Sequence, residues 1–444
     1  RSRSTSHSPD GFARHAPAAR RPPLARATRM TGKSRQQNVE SPAMTAFPAP
    51  VALRSFARAR DAWPLDPATV HLNHGSFGAP PTAVIEHQDA LRRQGDLNPV
   101  AWFPTLGERT RAARERTAPF VGARADDVAF VPNASAAATV VYNAMHLEPG
   151  DEIIVTDHGY GAVTMGAERL ARRTGATVRT VAIPLLASDD EVVDRFAAEI
   201  GDRARLVVVD QITSPTARLM PTRRIADIAA HHGARTLIDG AHAPGLLPDA
   251  ASAAGGTWWF GNLHKWPCAP RGSALLVTTA ADRDDLWPLI DSWNAHDPFP
   301  SRFDYQGTID ATGYLATPTA IEFVEREIGW ERARTVMTEM ADAGAEAIAA
   351  AFRRFADAEP LTPVPSPVPS MRLIRLPPGL GATREEADAL RAEILPATGI
   401  ETAFTSFGGA GYVRLSVHLY TEASDIERFV DVAVPWLVAR AGIR

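Results

Sequence analysis

The chain is poor in cysteine, in lysine and in long apolar runs, and each shortage excludes something. It has one cysteine, Cys268, in 444 residues. No disulfide can close within it, and a zinc site built on cysteines lacks its thiols. No apolar run reaches the roughly 18 to 20 residues of a membrane span. The formal net charge is -4, so no basic field invites nucleic acid. The first 60 residues show no helix-turn-helix periodicity, which leaves a fused DNA-binding regulator without its domain. The region that reads as sheet contains neither GxxxxGK[ST] nor strand–GxGxxG–helix, so nucleotide and dinucleotide readings lack their motifs.

Lysine is the telling shortage. The only lysines are Lys33 and Lys265, and arginine fills every other basic position. An arginine- and alanine-rich composition fits a GC-rich coding background, but the exception at Lys265 stands out against it. An exposed charge there could have been arginine. A site that needs a neutralisable amine could not, because a guanidinium stays protonated whereas a lysine amine can be tuned into a nucleophile.

What is present is an ordinary globular composition, 45% hydrophobic and 22% charged, long enough for two or three domains or one large domain with a smaller partner. Residues 1–45 are rich in Arg, Ser, Pro and Ala with few large apolar residues. They are expected to be a disordered tail or an over-extended start ahead of Met44. They carry no apolar segment of the signal-peptide kind, and a cytoplasmic location is expected. From residue 80 onward "PTAVIEHQDALRRQG" and "LGERTRAARERTAPFVGA" read as helices. Short apolar runs follow: "DVAFV", "EIIVT", "TVRTVAI", "ARLVVVD", "ARTLID" and "SALLVT", with helical stretches between most of them. That alternation predicts a mostly parallel sheet with helices on both faces. After residue 315 come long helices, a Pro-rich linker "PLTPVPSPVPS", and mixed strands and helices that suggest a smaller α+β domain. The expected division is 46–315 for the N-terminal segment and large domain, and 316–444 for the connecting helix and small domain.

In open parallel sheets, ligands gather beyond the carboxyl ends of the strands. There, "TLIDGAHAPG" places Asp239 directly after a strand, and Lys265 follows 26 positions later, after the aromatic strand "TWWFG". An aspartate at a strand end is commonly a turn or capping residue. Paired with a lysine on a neighbouring strand end, it can instead hold opposite ends of a planar ring. Pyridoxal phosphate needs that pair: an amine to form a Schiff base with its aldehyde and a carboxylate to keep its ring nitrogen protonated. "VPNASAAATVVYN" offers a phosphate site at a helix start, with the Ser135 hydroxyl and the Ala136 amide as donors. Ser135 is equally suited to plain capping.

These segments, together with "HLNHGSFGAPP", "TDHGYGA", "ITSPTARLMP" and "GNLHKWPCAPRGSALL", resemble the class V aminotransferase-fold enzymes, and within them the isopenicillin N epimerase-like branch. The resemblance runs from about residue 65 to the C-terminus. It implies the fold type I architecture of pyridoxal-phosphate-dependent transferases, an α/β large domain with a smaller α+β C-terminal domain. It implies Lys265 as the Schiff-base lysine, Asp239 as the ring-nitrogen partner and His242 near the ring hydroxyl. Ser135, Asn262 and His264 match phosphate-side positions, and Thr213 and Ser214 lie beside the ring. His158 or Tyr160 would cover the ring face, the choice between them being open. Gly307 and Thr308 resemble a loop that reaches a phosphate in the neighbouring subunit, which implies a homodimer with shared sites. Arg414 matches the arginine that grips a substrate α-carboxylate, with Asn73 also on the substrate side. Two arginines of the family pattern are replaced by Ala101 and Ile309, which implies a substrate less anionic than a tripeptide such as isopenicillin N.

A small amino-acid-like substrate is thus expected, with no metal. The lysine is expected to act as a base at Cα once freed, giving epimerisation, C–S lysis or β-elimination, or transamination. Cysteine desulfurases of this fold need a mobile cysteine in a distant loop. Cys268 lies three residues from Lys265 and reads as a small packed residue. A protein of this fold that binds without catalysing is the alternative of a different class.

Overall fold

The computed structural model describes residues 59–442, so the expectation of a disordered start over 1–45 lies outside the described residues. Seven short apolar segments form the central sheet: β1 (Val128–Val131), β2 (Glu152–Thr156), β3 (Thr177–Val181), β4 (Ala204–Asp210), β5 (Arg235–Asp239), β6 (Trp258–Asn262) and β7 (Ala274–Thr278). Their order is β1-β7-β6-β5-β4-β2-β3. Strands β2 to β6 pair in parallel, and β7 runs antiparallel to both its neighbours.

The strand sequences follow from two-sided burial. Val207, Val209 and Ile238 face one core, while Leu206, Val208 and Leu237 face another. Strands covered on both faces read as continuous apolar runs rather than alternations. Edge strand β3, "TVRTV", is the exception and leaves several side chains in solvent. Crossover helices start on side-chain caps: Asn133 accepts the Ala136 amide ahead of helix Ala134–Ala144, and Ser188 accepts the Glu191 amide ahead of Asp189–Glu199.

Two helices, Thr312–Glu327 and Trp330–Phe352, link this sheet to a second one. The domain boundary expected between residues 315 and 316 falls inside the first of them. The second sheet contains β8 (Leu361–Thr362), β9 (Met371–Arg375), β10 (Ala403–Phe407) and β11 (Ala410–Ser416), in the antiparallel order β10-β11-β9-β8. The Pro-rich stretch expected as a linker therefore contributes a strand. That strand is only two residues long, lies at the sheet edge, and has the prolines of the stretch outside it. Helices Trp330–Phe352 and Arg384–Thr398 pack a third core against this sheet, the latter opened by a Thr383–Glu386 capping box.

The early segment of the chain crosses to this layer. Val70–His71 pairs in parallel with Ile400–Glu401, and Asn73 bridges to Ser416. Residues 73–78 are thereby held between the end of β11 and the loop that carries Lys265.

Candidate active site

The carboxyl ends of β4, β5 and β6 open onto a cavity of about 570 Å³, closed on the far side by β10 and helix Arg384–Thr398. Lys265 lies in the turn after β6 and is buried, with Nζ 3.0 Å from His242 Nε2. Burial pushes the amine down to about 7, opposed by the Asp239 carboxylate and reinforced by the Arg414 charge. Near pH 7 a substantial fraction of such an amine is neutral, the form a nucleophile or base uses.

Asp239 ends β5. Its Oδ1 accepts the Ala241 amide at 2.9 Å, and its Oδ2 is buried with no partner. Burial raises this carboxyl to about 6, against the pull of the Ala241 amide and of Lys265. His242 follows three residues later, with its Nδ1 likewise buried and unpaired; burial and the Lys265 charge hold it neutral. An unpaired buried atom of this kind costs about 1 to 3 kcal/mol, so these groups fit a polar ring placed between them and the amine.

The opposite pole is Arg414 on β11. It is buried, and donates to Ser214 O at 2.8 Å, Ser214 Oγ at 3.1 Å, and Asn73 Oδ1 and Ser76 Oγ at 3.3 Å. All these acceptors are neutral, so among the described residues no carboxylate balances the guanidinium, and its Nε has no partner. Burial and the Arg391 charge lower it to about 10. A buried cation with only neutral partners suits an incoming carboxylate.

At the phosphate side, Asn262 Oδ1 accepts the Ala134 amide at 3.0 Å, and Asn133, Ala134 and Ser135 line the cavity at the start of their helix. The Ala136 amide is taken by Asn133 Oδ1 at 2.9 Å, and Ala136 does not line the cavity. His264 lines it, with Nδ1 on Ser273 O at 3.1 Å.

The structure separates the two residues left open over the ring. Tyr160 lies on the cavity wall, partly exposed. His158 is fully buried behind it. Its Nδ1 meets Thr216 Oγ1 at 2.6 Å and its Nε2 meets Ile183 O at 2.9 Å, while its ring packs on Phe407. Thr213 joins that buried network through Thr216 and is also off the cavity, whereas Ser214 lines it. Thr308 is exposed and away from this cavity.

Three features were not anticipated. Asp210 at the end of β4 lines the cavity beside Asp239. Arg384 and Arg391 reach it from one face of their helix. The third is a brace behind the lysine. His74 Nε2 donates to Lys265 O at 3.0 Å, and His418 Nε2 donates to Trp266 O at 3.2 Å. The two rings stack with centroids 3.9 Å apart. Cys268 lies beside them, 3.5 Å from His418 Nε2, with a left-handed φ of 60°. These three residues could offer a metal its ligand atoms, but the ring nitrogens nearest the thiol are spent on backbone carbonyls and the rings lie parallel. Gly78 completes the brace: a Cβ there would stand 2.0 Å from His264 O, so only glycine lets the backbone approach the lysine turn.

A lysine amine between an unpaired carboxylate and an unbalanced arginine, at the strand ends of a mostly parallel sheet, defines a fold type I enzyme that uses pyridoxal phosphate. Residues 102–429 match the family described as Aminotransferase class-V. Isopenicillin N epimerase of Amycolatopsis lactamdurans is 31% identical over 85% of this chain and 97% of its own. A putative L-cysteine desulfhydrase of Oryza sativa subsp. japonica is 29% identical over 83% of each. Among solved structures, a mutant of C-DES with glycine covalently linked to the PLP cofactor superposes with a TM-score of 0.70 at 18% identity, covering 82% of this chain and 95% of that one. The chain belongs to the class V aminotransferase family.

Proposed function

We propose that the enzyme acts at the α-carbon of an amino acid or amino-acid conjugate, as an epimerase or a C–S lyase. The observation that carries this reading is the line from Asp239 through Lys265 to Arg414, which has a place for a ring at one end and for a carboxylate at the other. Bound pyridoxal phosphate supplies an aldehyde and an electron sink for charge developing at Cα. Asp239 and His242 orient the ring, and the helix start at Ala134 and Ser135, with Asn262 and His264, holds the phosphate. Arg414, steadied by Asn73, Ser76 and Ser214, takes the substrate carboxylate and so aims the Cα–H bond. Lys265, in its neutral form, removes that proton. Tyr160 lies on the cavity wall, suited to deliver a proton from the other side. His158 has both nitrogens engaged and serves as its backing.

A persulfide relay has no support. Cys268 is the single cysteine, buried in the brace, and burial pushes its thiol well up. The names of the relatives favour epimerisation and C–S cleavage over transfer of the amino group. A cytoplasmic location is part of the proposal, and no helix among the described residues is long and apolar enough to cross a membrane.

A homodimer is part of the proposal. Trp293 is 91% exposed, and Leu97 and Val100 are nearly as exposed. Ile290, also exposed, lies against the Gly307–Thr308 turn. Covering such residues and completing the phosphate site through Thr308 of a second copy would serve both needs. The test of function is a screen of L- and D-amino acids and cysteine conjugates in deuterated water. Deuterium at Cα supports epimerisation, and pyruvate with ammonia supports C–S lysis. Stoichiometric 2-oxo acid with retained amine would replace the proposal by transamination.

A further inference from the structure

Asp210 has no part in the chemistry above, yet its placement is unusual. It ends β4 in direct register with Asp239 at the end of β5. Register partners on parallel strands project to the same face, here the face of Leu206, Val208 and Leu237 under helices Ala134–Ala144 and Gly161–Thr174. Both carboxylates are buried and both line the cavity. Among the described residues neither forms an ion pair, and Asp239 Oδ2 has no partner at all.

The groups facing them are few. Lys265 approaches from the turn after β6, Tyr142 from helix Ala134–Ala144, and the Tyr160 backbone amide is directed at Asp210. Tyr142 cannot neutralise a charge, because its hydroxyl donates to Val163 O at 2.9 Å. Lys265, at about 7, is only partly charged near pH 7, and its charge draws both carboxyls down without undoing the rise that burial causes. Two adjacent carboxylates in such a place cannot both ionise without a large penalty. Burial first, and the Asp239 charge second, hold Asp210 well above the ordinary carboxylate range.

We propose that Asp210 and Asp239 form a pair that shares one proton at neutral pH, with Asp210 as a positioning residue for the proton that a ring nitrogen arriving at Asp239 requires. Passing that proton to the ring leaves two carboxylates beside one cation, with no proton drawn from solvent. The use of the proton rests on the cofactor reading; its presence in the apoprotein does not.

The test is denaturant unfolding of the full-length apoprotein from pH 5 to 8, for the wild type, Asp210→Asn and Asp239→Asn. Unfolded aspartates are ionised above about pH 5, so a folded pair that keeps a proton loses it on unfolding. The native state then binds more protons than the unfolded one, and stability falls as pH rises. The wild-type unfolding constant should increase relative to either variant by up to about tenfold per pH unit in this window. Lys265 titrates in the same window and is coupled to both carboxylates, so the comparison is made in a Lys265→Met background as well. Burial still raises the carboxyl that remains in each variant, so each should keep a smaller slope that ends at lower pH than the wild-type slope. A wild-type slope retained in Asp210→Asn would overturn the pair. If a variant does not fold, carboxyl-carbon NMR of aspartate-labelled wild type decides: a titration above pH 6 is expected, and all aspartates titrating below pH 5 would overturn it. Because these readouts use apoprotein, they succeed or fail independently of any cofactor label.

Discussion

Arg414→Ala gives the sharpest test of how the site reads its substrate. The guanidinium is buried, its described partners are neutral oxygens, and its Nε is unpaired. A hydrogen bond to a charged group contributes about 1.5 to 3 kcal/mol. At about 1.4 kcal/mol per factor of ten, losing the carboxylate contact should weaken amino-acid binding by roughly 10- to 150-fold. The substitution also strands Ser214 O and Asn73 Oδ1, so a loss of binding alone does not separate recognition from damage. The decisive assay is therefore a cycle. Binding is followed by absorbance of the loaded enzyme, for an amino acid and for the amine that lacks its carboxylate, in the wild type and in Arg414→Ala. The amino acid should lose the full factor, and the amine should lose little. Equal losses for the two ligands would refute the carboxylate role and make Arg414 a structural tie between β11 and Ser214.

Other outcomes follow from the same geometry. Burial depresses Lys265 to about 7 from 10.5, so between those values the unfolded chain binds the extra proton. The penalty is full below pH 7 and is relieved as pH rises to about 10.5. Apoprotein stability relative to Lys265→Met should therefore climb by up to about 1.4 kcal/mol per pH unit in that window, and a flat difference by denaturant melts would contradict it. Gly78→Ala places a Cβ 2.0 Å from His264 O at a φ of +67°. It should cost at least about 2 kcal/mol and lower the affinity for pyridoxal phosphate; a wild-type melt with unchanged affinity would show that the brace is slack. Cys268→Ala should keep turnover, whereas loss of sulfur release with a normal melt would revive a thiol relay.

The sheet was legible because strands buried on both faces must be apolar throughout, so "ARLVVVD" and "ARTLID" identify themselves. Lys265 was legible because the chain otherwise spells its positive charges as arginine. Asp210 was within reach: it ends its strand as Asp239 does, but only pairing reveals that the two share a register. Arg384 and Arg391 look like solvated charges on an amphipathic helix, and nothing local reports that the helix closes a cavity. The different settings of His158 and Tyr160 were out of reach, because the partners that bury His158, Thr216 and Ile183, lie in distant segments. The pairing of Val70–His71 with Ile400–Glu401 was out of reach, because two residues carry no periodicity.

The central claim is that the Lys265 amine holds pyridoxal phosphate. Borohydride reduction of the loaded protein, followed by peptide mapping, tests it directly. A stable pyridoxyl label is expected on the peptide containing Lys265, with none in Lys265→Arg. A label elsewhere, or no label on a protein that still turns over amino acids, would contradict it.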